Sequence, residues 1–323
     1  MVQLLTAMLL ILATWAVVAP SLIGIGLLVR RASGARSLDA TQLSMCFWVG
    51  AAVATMLLQV WHVALPVDGR ATGMLCAFGA LGLALHAGPL LGVFRAAVRR
   101  PVALSLCIVG CLWLANRAAG PCDHPDSGLY QLQAVRWASE FPIVPGLANL
   151  NNNLGFNNSG ALLAATMDVG FWYGRAAHLF NPALLAALLV QAVIEISRAL
   201  RAQSGTELGL HLLGAAFLTP VVDLAISPHA SSFTTDLGTS GMLFVAGAHA
   251  LSALVRPKTE PAEARFDLLA IALLASCAVT WKLSAAGLSL CLFLLAAAAW
   301  WRGAHPGRAI ALGVASAMSG LLV

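Results

Sequence analysis

The chain has 323 residues, 60% of them hydrophobic and 10% charged, with a mean hydropathy of +0.86. Soluble domains carry about 25% charged residues, so water is excluded as the solvent for most of this chain. The net charge of +5 sits in short arginine clusters and reports orientation across a membrane, not nucleic-acid binding. No period-2 alternation points to an outer-membrane barrel.

The first apolar run, 4–29, has no basic residue before it and Arg30-Arg31 after it. A secretory signal has the reverse order and a shorter apolar core, so this run reads as a retained transmembrane helix. Further runs long enough to cross as helices fall at 42–65, 72–94, 101–117, 178–198, 206–226, 236–255, 267–282, 286–301 and 308–323. Residues 1–100 are expected to form an N-terminal three-helix membrane segment. Residues 101–323 then form the membrane core, with an outer loop at 118–158. The piece 159–173 is short and contains Asp168, which predicts a helix lying at the interface or dipping partly in. The runs 267–282 and 286–301 are each short for a crossing. Two such helices meeting below the surface would leave a recess lined by Lys282. The last run stops without a flanking polar residue, as in a truncated product. No internal repeat supports an inverted-repeat transporter.

Basic clusters set the orientation. Arg30, Arg31 and Arg36 form one, and Arg95, Arg99 and Arg100 another. Arg198 with Arg201 follow, then Arg256, Lys258 and Arg265, then Arg302 and Arg308. With all of them cytoplasmic the alternation closes, and loop 118–158 faces the periplasm or exterior of a bacterial inner membrane. So do 65–71 and 227–235. All cysteines but Cys122 lie in apolar segments and act there as small hydrophobes. Scattered single histidines give no zinc spacing. No metal ligands are assigned, although a divalent cation between outer carboxylates is compatible with the chain.

The polar island from Cys122 to Ser159 is where chemistry is expected. Asp123, His124 and Asp126 follow a membrane helix, with Pro125 stiffening the turn. The stretch 127–141 can form a helix, which Ser127 or Asp126 would cap. The functional reading of Asp126 is a general base that removes a proton from an acceptor hydroxyl as it attacks an anomeric carbon; Asp123 ranks second. Tyr130, Gln131 and Gln133, then Asn149 and Asn157, offer donors and acceptors for sugar hydroxyls. A second constellation runs from Asp223 through His229 to Asp236. Asp236 is favourable near a helix N-terminus by the dipole alone. It is also placed to face Asp126 and hold a sugar, an ammonium group or a divalent ion. His229 is a candidate for phosphate. Lys282, alone in a long apolar run, is costly in a bilayer, and a lipid phosphate or an acidic residue such as Asp223 would offset that cost.

Asp126-Ser-Gly-Leu-Tyr-Gln-Leu-Gln-Ala-Val-Arg-Trp, Val144-Pro-Gly-Leu-Ala-Asn-Leu and Leu154-Gly-Phe-Asn-Asn-Ser stand in spaced blocks. Thr235-Asp236-Leu237 and Thr280-Trp-Lys282-Leu-Ser follow. Together these resemble a group of largely uncharacterised bacterial multi-pass proteins similar in layout to the glycosyltransferase-C superfamily. The resemblance implies an all-α polytopic bundle with an outward polar loop and interfacial helices. It further implies an inverting transferase that takes a sugar from a polyprenyl-phosphate carrier to an envelope glycan, lipid or protein. Asp126 then maps to the base, Asp236 to the assisting acid and Lys282 to the carrier phosphate. Gln131 and Asn151 stand where the pattern carries histidine. The rival expectations are a lipid-linked-sugar flippase or solute transporter, for which Asp168 and Glu195 are the residues of interest, and an inactive envelope-assembly subunit.

Overall fold

The computed structural model describes residues 2–255 and 260–303. The expected segment 308–323 lies outside them, as do Arg256, Lys258 and Arg308. Among the described residues, thirteen α-helices follow one another and no strand occurs. They are α1 Val2–Ala32, α2 Ala40–His62, α3 Gly69–Leu85, α4 Ala87–Val98, α5 Pro101–Ala118, α6 Leu132–Glu140, α7 Gly160–Ala165, α8 Phe180–Ala199, α9 Gly205–Ala215, α10 Leu218–Ile226, α11 Thr235–Val255, α12 Pro261–Trp281 and α13 Ala286–Gly303. Eight helical stretches are long and apolar enough to cross a membrane, and nine if the α3–α4 pair counts as one. The chain is a multi-pass membrane protein of helical architecture.

Local chemistry explains the helix starts. Asp39 accepts from the Gln42 backbone N–H while the Gln42 side chain returns a bond to Asp39, a reciprocal cap. Asp68 caps α3 through Arg70, and Ser204 caps α9 through Glu207. Pro101 and Pro261 take the first helical positions of α5 and α12, where a missing N–H costs nothing.

Proline also corrects the expected crossing at 72–94. Pro89 lacks an N–H, and its ring collides with the carbonyl four residues back, at Leu85. The chain therefore bends by 81° between α3 and α4. Leu91, Phe94 and Val98 of α4 stay exposed beside Arg95. The same effect of Pro220 on Ala216 divides 206–226 into α9 and α10.

Two further expectations change. Residues 159–173 do not make an interfacial helix. Gly160–Ala165 is a six-residue helix buried throughout, because Gly, Ala and Leu leave no polar face to solvate. The α12 helix begins at Pro261, not 267, and its 21 residues make a full crossing. The sequence hid this start because Glu263 and Asp267 interrupt the hydropathy. Lys282 follows the last turn of α12 and precedes α13.

The N-terminal helices interlock with the rest. Trp48 of α2 is fully buried and donates to Gln191 of α8 (3.2 Å). Trp15 of α1 donates to the Leu179 carbonyl (3.0 Å), and Trp281 of α12 to Thr55 of α2 (3.3 Å). The seam of α1 with α2 and α3 is made of glycine. A Cβ on Gly24, Gly79 or Gly82 would overlap the facing backbone of the other helix, and one on Gly26 would overlap Cys46. Without a hydrophobic drive between helices in lipid, such close backbone approach supplies the packing. Gly79→Ala is expected to lower thermal stability by about 1–3 kcal/mol through overpacking. Gly73→Ala, whose Cβ meets nothing, leaves the midpoint unchanged in the same melt.

Contacts sort the helix ends into two groups. At one end α1, α2, α8 and α12 meet through Arg30, Asp39, Arg198 and Glu263. At the other, the polar island joins the far ends of α2, α11 and α12, and Arg117 of α5 donates to the end of α10.

Candidate functional site

The polar island is tied down at several points. The Val67 N–H donates to the Ala138 carbonyl (2.8 Å) and the Ile143 N–H to His62 (2.8 Å), which fastens α6 over the α2–α3 connection. The Ser127 hydroxyl donates to the Phe233 carbonyl (2.7 Å), and the His124 N–H to Ser232 (3.2 Å). The segment carrying Asp126 therefore lies on the segment that leads into Asp236. On the other side, Ser159 donates to Thr280 (2.8 Å) and the Asn157 amide to the Val279 carbonyl (3.2 Å). Thr235 and Trp281 close on Gly160, where a Cβ would crowd both.

Asp236 stands in the first turn of α11 and is exposed. Lys282 reaches it from the end of α12, and the two form an ion pair. Both side chains are about half exposed, 47% for Lys282 and 51% for Asp236, so the pair is an exposed bridge and not a buried charge. The partner of Lys282 is thus Asp236, and not Asp223.

Asp126 starts a turn of unusual width. Ser127–Gln131 is π-helical, with the Leu132 N–H bonded to the Ser127 carbonyl. Single π-turns inside helices are frequent at functional sites. Asp126 makes no capping bond, and Ser127 spends its hydroxyl on Phe233. The capping role expected of either residue is not taken up, and the carboxylate stays uncommitted at the turn. Gln131 is 2% exposed, its amide nitrogen lies 3.4 Å from the Tyr130 hydroxyl, and its amide oxygen has no partner among the described residues. Buried acceptors are rarely left unpaired.

The other expected site residues divide. Tyr130 packs its ring edge-on to Phe156, centroids 6.2 Å apart. Gln133 gives its amide to the Gly128 carbonyl (2.9 Å), a local bond, and Asn157 is likewise spent on backbone. Asp123 and Asn149 are exposed. His229 rests against His124 with ring centroids 4.8 Å apart and contacts the Ser227 hydroxyl at 2.9 Å. Burial and the neighbouring His124 hold its pKa below the ordinary histidine value, against the pull of Asp236 and Asp223. Asn181, fully buried, donates to Thr234 (3.1 Å) and to the His229 carbonyl (3.4 Å). Sequence reasoning missed it, and its only signal was an amide two residues into an apolar run.

Glu140 accepts from Arg136 (2.8 Å) and from the Tyr173 hydroxyl, and these bonds hold its carboxyl below the usual range. Asp168 accepts from the N–H groups of Arg175 (3.1 Å) and Ala176 (3.2 Å). It is satisfied by backbone, although burial pushes its pKa up. Among the described residues no group of three or more His, Cys, Asp or Glu is placed to hold a metal ion.

No curated protein and no solved structure matches the chain. One family model does match, over residues 8–314, a span that takes in the Arg30 cluster, the polar island and the Asp236–Lys282 bridge. The chain therefore belongs to the family described as a domain of unknown function, DUF8201.

Proposed function

We propose that the protein is a membrane glycosyltransferase, moving a sugar from a polyprenyl-phosphate carrier to a cell-envelope acceptor at the outer face of a bacterial inner membrane. The observation that carries this reading is the pairing of Lys282 with Asp236 at the end of the bundle where the Asp126 turn is docked. An ammonium has three donors, so Lys282 can keep Asp236 while it meets a carrier phosphate. Asp126 takes the acceptor proton as the hydroxyl attacks the anomeric carbon. The bond to the phosphate oxygen breaks, and Lys282 offsets the charge that develops there. Tyr130, on the same turn, is assigned to sugar hydroxyls. Arg31, Arg36, Arg99, Arg198 and Arg201 all belong to the opposite end, which supports a cytoplasmic assignment for that end.

The test is transfer from a synthetic polyprenyl-phosphate sugar by the purified protein in liposomes, alongside mass spectrometry of envelope glycans with and without the protein. No transfer, and identical glycans, would overturn the reading.

A second reading, solute transport, is favoured by one observation. Glu195 of α8 is 8% exposed, near the arginine end of a crossing helix; it contacts the His211 ring (2.7 Å) and accepts from Thr41 (3.1 Å). Ionisable groups at such positions commonly mark a transport path. On this reading Glu195→Gln abolishes vesicle uptake of the solute while Asp126→Asn leaves it intact. On the transferase reading the two substitutions have the reverse effect on glycan transfer.

A further inference from the structure

A cavity of about 540 Å³ lies between α1, α5 and α8. Leu12, Ile23, Leu104, Cys111 and Ala187 are among its walls, and its polar members are Ser44, Ser197 and Arg100. On α8 it extends from Phe180 to Ser197, roughly 26 Å at the helical rise, close to the ~30 Å of a hydrocarbon core. The slot is long, narrow and lined almost wholly by apolar side chains, as a hydrocarbon chain requires.

A second cavity, of about 410 Å³, continues from its end, and the two share Ala40, Val93, Ala97, Arg100 and Ile194. This one is polar, and Arg100, Arg198 and Arg201 face it with Asp39 and Glu207. Asp39 is paired with Arg198 at 3.4 Å. Glu207 accepts from the Gln203 N–H (3.1 Å) and lies 4.0 Å from His211. Arg100 and Arg201 are exposed and form no ion pair among the described residues. The bend at Pro89 creates this junction, because it turns α4 across the foot of the slot and sets Val93, Ala97 and Arg100 there.

We infer that the two cavities together hold one phosphate-bearing membrane lipid, its tail along α1, α5 and α8 and its phosphate at Arg100 and Arg201. A soluble anion has no use for the apolar slot, and an uncharged lipid has none for two unpaired guanidinium groups. The site lies at the arginine end, away from the Asp126 turn, and does not depend on the transferase reading. With that end cytoplasmic, the lipid comes from the leaflet richer in anionic lipid.

The full chain is placed in phosphatidylcholine nanodiscs with a trace of phosphatidylglycerol carrying a diazirine on its tail. Crosslinks are mapped by peptide mass spectrometry, and bound lipids are counted by native mass spectrometry. The expected result is one retained phosphatidylglycerol per chain, with crosslinks on α1, α5 and α8. Arg100→Gln weakens retention by about fivefold, and adding Arg201→Gln brings the loss to about thirtyfold, at roughly one charge contact each. Ala187→Trp fills the slot and removes the α8 crosslinks, while Arg70→Gln, at the other end, changes nothing. Arg100 is exposed, so its variant keeps the wild-type melting midpoint and separates binding from folding. Equal capture of a phosphatidylcholine probe, or retention indifferent to both arginines, overturns the proposal. Displacement by millimolar glycerol phosphate as effective as by the lipid would reject the tail slot.

Discussion

Asp126→Asn is expected to slow glycosyl transfer by about 10²–10⁴-fold, the range for loss of a general base, with insertion and melting midpoint unchanged. The separation of these two effects follows from geometry. The Asp126 carboxylate makes no capping bond, so its removal deprives no backbone group of a partner. The neighbour that holds the turn in place is Ser127, through Phe233. Asparagine keeps the size of the side chain and removes only its basicity. Full transfer by the variant would reject Asp126 as base. A variant that falls apart on purification would show that the residue holds structure after all.

The largest loss of stability is expected at the opposite end. Arg30 is 1% exposed, donates twice to the Ser37 carbonyl (2.9 and 2.6 Å) and pairs with Glu263. Glu263 also accepts from the Ser37 N–H (3.1 Å) and hydroxyl (2.8 Å). The guanidinium lies 4.7 Å from the centre of the Phe266 ring. One cluster thus joins the end of α1, the loop into α2 and the start of α12. Glu263→Gln leaves a buried guanidinium without its counter-charge, and breaking such a pair costs about 3–5 kcal/mol. Replacing both partners, Arg30→Met with Glu263→Leu, is expected to recover most of that loss, because two well-packed apolar groups need no desolvation of charge. Reversible unfolding in detergent, followed for the wild type, the single variant and the double variant, checks this. A double variant no more stable than the single one would show that the hydrogen bonds to Ser37, and not the charges, hold the cluster.

Most of the membrane crossings were legible in the sequence because lipid demands long apolar runs, and the runs at 42–65, 101–117 and 236–255 became helices with little change. What misled was local. Hydropathy averages over Pro89 and sees one straight crossing where the helix bends by 81°. It discounts Glu263, whose cost is met by Arg30, an arginine far away in sequence. Arg30, read as an orientation signal, is also a buried structural residue. Asp126, Asp236 and Lys282 were expected at one end of the bundle. The ion pair between the last two and the docking of Ser127 on Phe233 are consistent with that. The π-turn at Ser127–Gln131 had no signal, since no residue type marks an i+5 hydrogen bond. Gln133 and Asn157 looked like free amides because sequence does not say which carbonyl lies within reach.

The bonds from Val67 to Ala138, Ile143 to His62, His124 to Ser232 and Ser127 to Phe233 act as rivets between one roof segment and two different supports. A roof riveted in this way does not swing open as a lid. On the transferase reading, a donor reaches the Asp126 turn sideways between helix ends, a route that favours a molecule already dissolved in the bilayer over one arriving from water.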